Sequence, residues 1–179
     1  MSDAAPRIIV VTGIQAAGKS TIARLLAQRF ERGVHIEADV LQQMIVSGSA
    51  GITEPGVISE EAGRQLRLRL HNACLLARSF ADAGFTPVID DIILGDRWEH
   101  LQSDLAGYRF ELIVLAPRPE IVVAQRDAGR GKRVLGENWA EYLDGALRQT
   151  MSSIGTWIDS SGQTPEETVD EIMAALGVR

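Results

Sequence analysis

Residues 13 to 20 run Gly13-Ile14-Gln15-Ala16-Ala17-Gly18-Lys19-Ser20, with Thr21 next, and match the pattern G-x-x-x-x-G-K-[ST] at every fixed position. The chemistry open to such a run is the holding of a triphosphate. Glycine at 13 and 18 lets the backbone turn its N–H groups onto phosphate oxygens where a side chain would collide. A helix beginning just beyond adds partial positive charge. Lys19 then reaches the β- and γ-phosphates as a point charge, and the Ser20 hydroxyl can ligate Mg²⁺. ATP and Mg²⁺ are therefore the expected cofactors, and Gly13, Gln15, Ala16, Ala17, Gly18, Lys19, Ser20 and Thr21 the expected ATP-binding residues.

Three further groups of charged residues bear on what happens to the terminal phosphate. Asp39 follows Val34-His35-Ile36-Glu37-Ala38, which can form a second strand. A carboxylate there can accept a hydrogen bond or proton from a substrate hydroxyl and align its oxygen for in-line attack, although Asp is also a preferred cap for a helix starting at Val40. Asp90 and Asp91 follow Val88-Ile89. Successive strand residues point to opposite faces, so the two acids should divide, Asp90 toward Mg²⁺ and Asp91 toward the acceptor. The third group, Arg126, Arg130, Lys132 and Arg133, is interleaved with Gly129, Gly131 and Gly136. Glycine hinges with cations suggest a lid, over about 129–137, that closes on the triphosphate and brings Arg130 and Arg133 onto the transferring group. Arg126 either belongs to that lid or stacks on the nucleotide base.

These residues need a scaffold that brings them to one edge. Arg7 to Thr12 is short, apolar and β-branched, while Ile22, Leu25, Leu26 and Phe30 recur at helical spacing. A second strand over 34–38 and a short helix over Val40–Val46 follow. Residues 47–58 hold three glycines and a proline and read as a loop long enough to cover a ligand. Ser59, with Glu60 and Glu61, opens a long helix whose apolar stripe is Ala62, Leu66, Leu70, Ala73, Leu76, Ala77 and Phe80, stopped by Gly84. Arg64, Arg67 and Arg69 are spread around it and read as a solvated face, though able to meet an anionic acceptor. Further strands are expected at 88–91, 110–115 and 156–158, with helices over 97–105, from Pro119 to about Ala128, and from Asn138. Thr164-Pro165-Glu166-Glu167 is a capping signature for a final helix. Unbroken apolar strands alternating with helices predict a parallel α/β sandwich of three layers in one domain, 1–179, with its ligands beyond the carboxyl ends of the strands.

Composition narrows the class. A net charge of −6 and a pI near 5.1 argue against broad nucleic-acid binding, which relies on clustered cations. Cys74 is the only cysteine, so no intrachain disulfide forms, and its expected place is a buried helix face. With no run of about 18 apolar residues and no leader-like N-terminus, the chain is expected to be cytoplasmic, away from membranes, and a monomer or homodimer.

The order of these features, with GIQAAGKST, Asp39, VIDDIILG and RDAGRGKRVLG in sequence, resembles the small P-loop kinases, and most closely the chloramphenicol phosphotransferase family. The resemblance runs nearly end to end and weakens between about 42 and 70, where that family builds its acceptor pocket. It implies a P-loop NTPase fold with a five-stranded sheet of order 2-3-1-4-5 and an ATP-dependent O-phosphotransferase. The acceptor would be a small hydroxylated molecule, with an antibiotic such as chloramphenicol among the candidates. It also implies that Asp39 is the base for the acceptor hydroxyl and that Arg130 and Arg133 lie in the lid. Two other readings stand beside it: a nucleotide or nucleoside kinase, and a regulatory nucleotide-binding ATPase module.

Overall fold

The computed structural model describes residues 7–121 and 137–178. Five strands, β1 (Arg7–Gly13), β2 (Gly33–Glu37), β3 (Thr86–Asp90), β4 (Arg109–Leu115) and β5 (Thr156–Ile158), form one sheet in the order β2-β3-β1-β4-β5. Every pairing is parallel, with Val11 opposite both Asp90 on β3 and Ile113 on β4. Ile8, Ile9, Val10 and Val11 on the central strand are fully buried. That explains the unbroken apolar run: a strand covered on both faces has no side to leave polar.

The helices are α1 (Lys19–Ala27), α2 (Ala38–Gln43), α3 (Glu60–Asp82), α4 (Arg97–Asp104), α5 (Pro119–Ile121), α6 (Glu137–Met151) and α7 (Pro165–Ala175). A right-handed crossover from β1 out to β2 and another from β2 back to β3 run in opposite directions, so α1 and α3 cover opposite faces. In keeping with this, α1 packs with α7 and α3 with α4. Leu26, Leu70, Ile89, Leu101, Ile113 and Leu147 join in one core cluster.

Local chemistry sets the ends of the long elements. Ser59 caps α3 by accepting from the Ala62 N–H, and Gly84, at φ 79°, turns the chain out of the helix. Thr164 and Glu167 form the reciprocal capping box of α7, with Pro165 in its first turn.

The structure differs from the sequence reading in three places. Helix α2 starts at Ala38 and ends at Gln43, two residues earlier at its start and three at its end than the expected span. Asp39 consequently lies inside the first turn of α2, and Glu37, the last residue of β2, occupies the cap position. The buried stripe of α3 also departs from the expected one, because a straight α-helix drifts in phase over its 23 residues. Gln65 and Ala81 are buried and Leu76 is exposed, while Cys74 is buried as expected. The third difference is at Arg69, whose side chain is nine-tenths buried and ion-paired rather than solvated.

Candidate functional site

The loop between β1 and α1 lies at the carboxyl edge of the sheet, and its backbone bends in the manner its glycines allow. Gly13 has φ 147° and Gly18 φ 96°, and Ala16 has φ 61°, a left-handed conformation unusual for a residue with a Cβ. Such alternation turns successive N–H groups toward a common concavity suited to an anion. Gly13 is also sterically fixed: a Cβ there would lie 2.4 Å from the Leu115 carbonyl oxygen. Lys19 folds back along the loop and donates to the Ile14 carbonyl at 2.9 Å.

The two acids at the end of β3 point to opposite sides. Asp90 faces α1, where its Oδ1 accepts from Ser20 Oγ at 3.3 Å, and its Oδ2 lies 2.5 Å from His35 Nε2. Asp91 faces α3 and α4. Its side chain is 1% exposed and clamped between two guanidiniums, Arg69 Nη2 at 2.5 Å from Oδ1 and Arg97 Nη2 at 2.6 Å from Oδ2. The Ile92 N–H also donates to Oδ1. Burial pulls the Arg97 guanidinium below its ordinary range, with Asp91 acting against that shift. The Nε atoms of Arg69 and Arg97 are buried and have no hydrogen-bond partner among the described residues. Thr12 steadies the chain beyond these acids, its hydroxyl accepting from the Ile93 N–H at 2.7 Å.

Asp39 is half exposed on α2, and Arg69 Nη1 lies 3.5 Å from its Oδ1. The loop over 47–58 is tied down by Gln65, a buried side chain of α3. Its Oε1 accepts from Ala50 N–H and Gln42 Nε2, and its Nε2 donates to Gly48 O and Glu61. Gly56 brings the same loop against the Tyr142 ring on α6.

The loop, the acids and the two arginines meet at one open cleft of about 1230 Å³. Gln15 to Thr21 line one side, and Asp39, Gln42, Arg69, Asp91 and Arg97 line the other, with Asp90 also on its wall. The hydroxyl of Ser20 beside the carboxylate of Asp90 is the oxygen donor set a hard cation takes. Among the described residues no three His, Cys, Asp or Glu side chains gather as a metal cage. Mg²⁺ commonly needs none, since it binds through one or two carboxylates plus phosphates and water.

The structure thus brings Gly13, Gln15, Ala16, Ala17, Gly18, Lys19, Ser20, Thr21, Asp39, Asp90 and Asp91 to one edge. Arg126, Arg130, Lys132 and Arg133 lie outside the described residues. Sequence reasoning did not single out His35 or Arg97 and gave Arg69 to solvent. For Arg69 a signal existed: it follows Gln65 by four residues and Ala62 by seven, which places it on the buried face of α3.

A parallel sheet of order 2-3-1-4-5, with a phosphate-binding loop leaving its central strand, defines the P-loop kinase fold. The chain belongs to the family described as chloramphenicol phosphotransferase-like protein, whose model matches residues 6–177. A Thermococcus kodakarensis protein named "Putative adenylate kinase" is 30% identical over 173 residues, 93% of this chain and 83% of that one. Among solved structures, the tunicamycin resistance protein of Deinococcus radiodurans superposes with a TM-score of 0.70 at 20% identity, covering 97% of both chains. A sugar kinase from Janibacter sp. HTCC2649 gives 0.69 at 21% identity, covering 97% of this chain and 95% of that one. These likenesses are of fold. Among the described residues no helix is long and apolar enough to cross a membrane.

Proposed function

We propose that this protein is an ATP- and Mg²⁺-dependent phosphotransferase that moves the γ-phosphate to a hydroxyl of a small molecule. The observation that carries the reading is the cleft itself, where a half-exposed acid, Asp39, shares one cavity with the phosphate-binding loop. In this reading the loop amides and Lys19 hold the triphosphate and Asp39 accepts the proton of the attacking hydroxyl. Ser20 and Asp90 would hold Mg²⁺, which would supply positive charge to offset that of the triphosphate. Both oxygens of Asp91 are taken by guanidiniums, so Asp91 serves the acceptor through Arg69 and Arg97, whose placement it fixes. Arg130 and Arg133 are assigned to the transferring phosphate, and Arg126 to the lid or the base, on the family resemblance.

The acceptor half of the cleft also carries Ile52, Ile58, Leu66, Ile92 and Leu94. A molecule with an apolar body and a polar edge suits such walls, which keeps hydroxylated antibiotics among the candidates. A nucleoside monophosphate is the second reading, favoured by the name of the Thermococcus relative and by the two arginines on the acceptor side.

A metabolite panel incubated with Mg-ATP, read by mass spectrometry for products heavier by one phosphate, tests the proposal. Phosphorylation of a non-nucleotide alcohol is the expected result. Productive AMP, CMP or UMP would move the assignment to the second reading, and ATP binding with no phosphorylated acceptor would favour a regulatory module.

A further inference from the structure

Strand β2 pairs with β3 so that Glu37 lies opposite Asp90 and His35 opposite Val88. Residues two apart on a strand share a face, so His35 stands diagonally beside Asp90, near enough for side chains to meet. They do meet: Nε2 of His35 is 2.5 Å from Oδ2 of Asp90, and the two side chains are 13% and 5% exposed. The other oxygen of Asp90 accepts from Ser20. An ionised carboxylate only accepts hydrogen bonds, so His35 presents its Nε2 as a donor, whatever its charge. His35 is absent from the cleft wall, which both Ser20 and Asp90 line. It therefore touches Asp90 from outside the cleft.

The last torsion of an aspartate is broad, so an unanchored carboxylate samples many orientations. A donor fixed on the neighbouring strand removes that freedom and holds Oδ1 toward Ser20. We propose that His35 is a positioning residue that sets the Asp90 carboxylate for the Mg²⁺ accompanying ATP. The proposal rests on the assignment of Asp90 to Mg²⁺ made above. Partners of this kind, one bond removed from a metal, typically change metal affinity 10- to 100-fold when lost.

The test uses the full chain with ATP and Mn²⁺ as the spectroscopic substitute for Mg²⁺, so that it needs no acceptor. Free Mn²⁺ is measured by electron paramagnetic resonance across a titration, and ATP affinity without metal by calorimetry. His35→Leu is expected to weaken Mn²⁺ binding in the presence of ATP about 10-fold or more, with metal-free ATP affinity within about twofold of the parent. His35→Gln, whose amide nitrogen falls near the position of Nε2, should recover most of the loss, and His35→Asn, which is too short, should not. A purely structural histidine would lower thermal stability in all three and leave Mn²⁺ affinity alone. Asp90→Asn separates the two layers of the argument. If Asp90→Asn weakens Mn²⁺ binding and His35→Leu and His35→Asn do not, the role of His35 is overturned and that of Asp90 stands. Parental Mn²⁺ affinity in Asp90→Asn overturns both.

Discussion

Arg69 donates from Nη2 to Oδ1 of Asp91 across 2.5 Å, and the two side chains are 10% and 1% exposed. A charge pair so far from water is held together mainly because neither member can be left alone. The second guanidinium, on Arg97, prevents Asp91 from being orphaned if Arg69 is removed. Arg69→Met should therefore cost about 3 kcal/mol, the lower end for breaking a buried pair. Arg69→Lys should recover little, since one ammonium cannot span Asp91 and Asp39 as a planar guanidinium does. Urea midpoints check both, and a non-additive Arg69→Met/Asp91→Asn double variant would measure the coupling.

Asp39 contributes little to stability by its position. It is half exposed, and its contact with Arg69 is 3.5 Å. Asp39→Asn should leave the unfolding midpoint nearly unchanged while lowering kcat toward a true acceptor by about 10²- to 10⁴-fold, the range for loss of a general base. The KM for ATP should stay within about twofold. Unchanged kcat would remove Asp39 from the reaction.

The glycine at position 13 is a matter of space as well as torsion. Gly13→Ala would set a Cβ 2.4 Å from the Leu115 carbonyl oxygen at φ 147°, and that oxygen belongs to the neighbouring strand and cannot swing away. Gly107, at φ 86° with nothing within 4 Å, supplies the control. Gly107→Ala should cost about 1 kcal/mol for the left-handed torsion alone. Gly13→Ala should cost more and abolish ATP binding by calorimetry, because the loop must shift.

The contrast between these residues explains what the sequence could and could not disclose. The loop, the strand order expected from the family resemblance and the capping box of α7 were legible because each depends on contiguous residues or on a whole-chain pattern. The partners of Asp90 and Asp91 come from other elements: His35 from β2, Arg69 from α3, Arg97 from α4. Arg64, Arg67 and Arg69 look alike in sequence. Yet Arg64 meets Glu61 on the surface, Arg67 reaches Asp104 on α4, and only Arg69 of the three pairs with Asp91. Helix phase decides which of them turns inward, and a phase error of one residue in 23 is enough to lose it. The start of α2 was misplaced for a related reason, since the pairing of Glu37 with Asp90 ends β2 before Ala38.

Cys74 sits on the buried face of α3, and burial, reinforced by Asp104, pushes its thiol up to about 12. The thiolate is the reactive form, so at pH 8 the native protein should resist iodoacetamide and react only as it unfolds. Mass spectrometry of alkylated protein across a urea series should show modification tracking the unfolding transition. Rapid labelling in buffer would mean that α3 opens locally.

Asp104, at the end of α4, ties α4 to α3. Burial works to raise its pKa, but hydrogen bonds from both Arg67 nitrogens and from His71 Nδ1 outweigh it and leave the carboxyl below its ordinary value. A carboxylate with a depressed folded pKa stabilises the fold above its unfolded pKa. That contribution is lost as pH falls through the folded value, where the carboxylate takes up a proton and gives up its charge-assisted pairing. Asp104→Asn should accordingly be less stable than the parent at pH 7, by about 1–3 kcal/mol for charge-assisted hydrogen bonds of this kind. The gap should close as pH is lowered past the ordinary carboxylate range, because the parent then loses what the variant never had. Urea midpoints of both proteins between pH 7 and pH 3 would give converging curves. Parallel curves would place the acid sensitivity of the α3–α4 contact elsewhere.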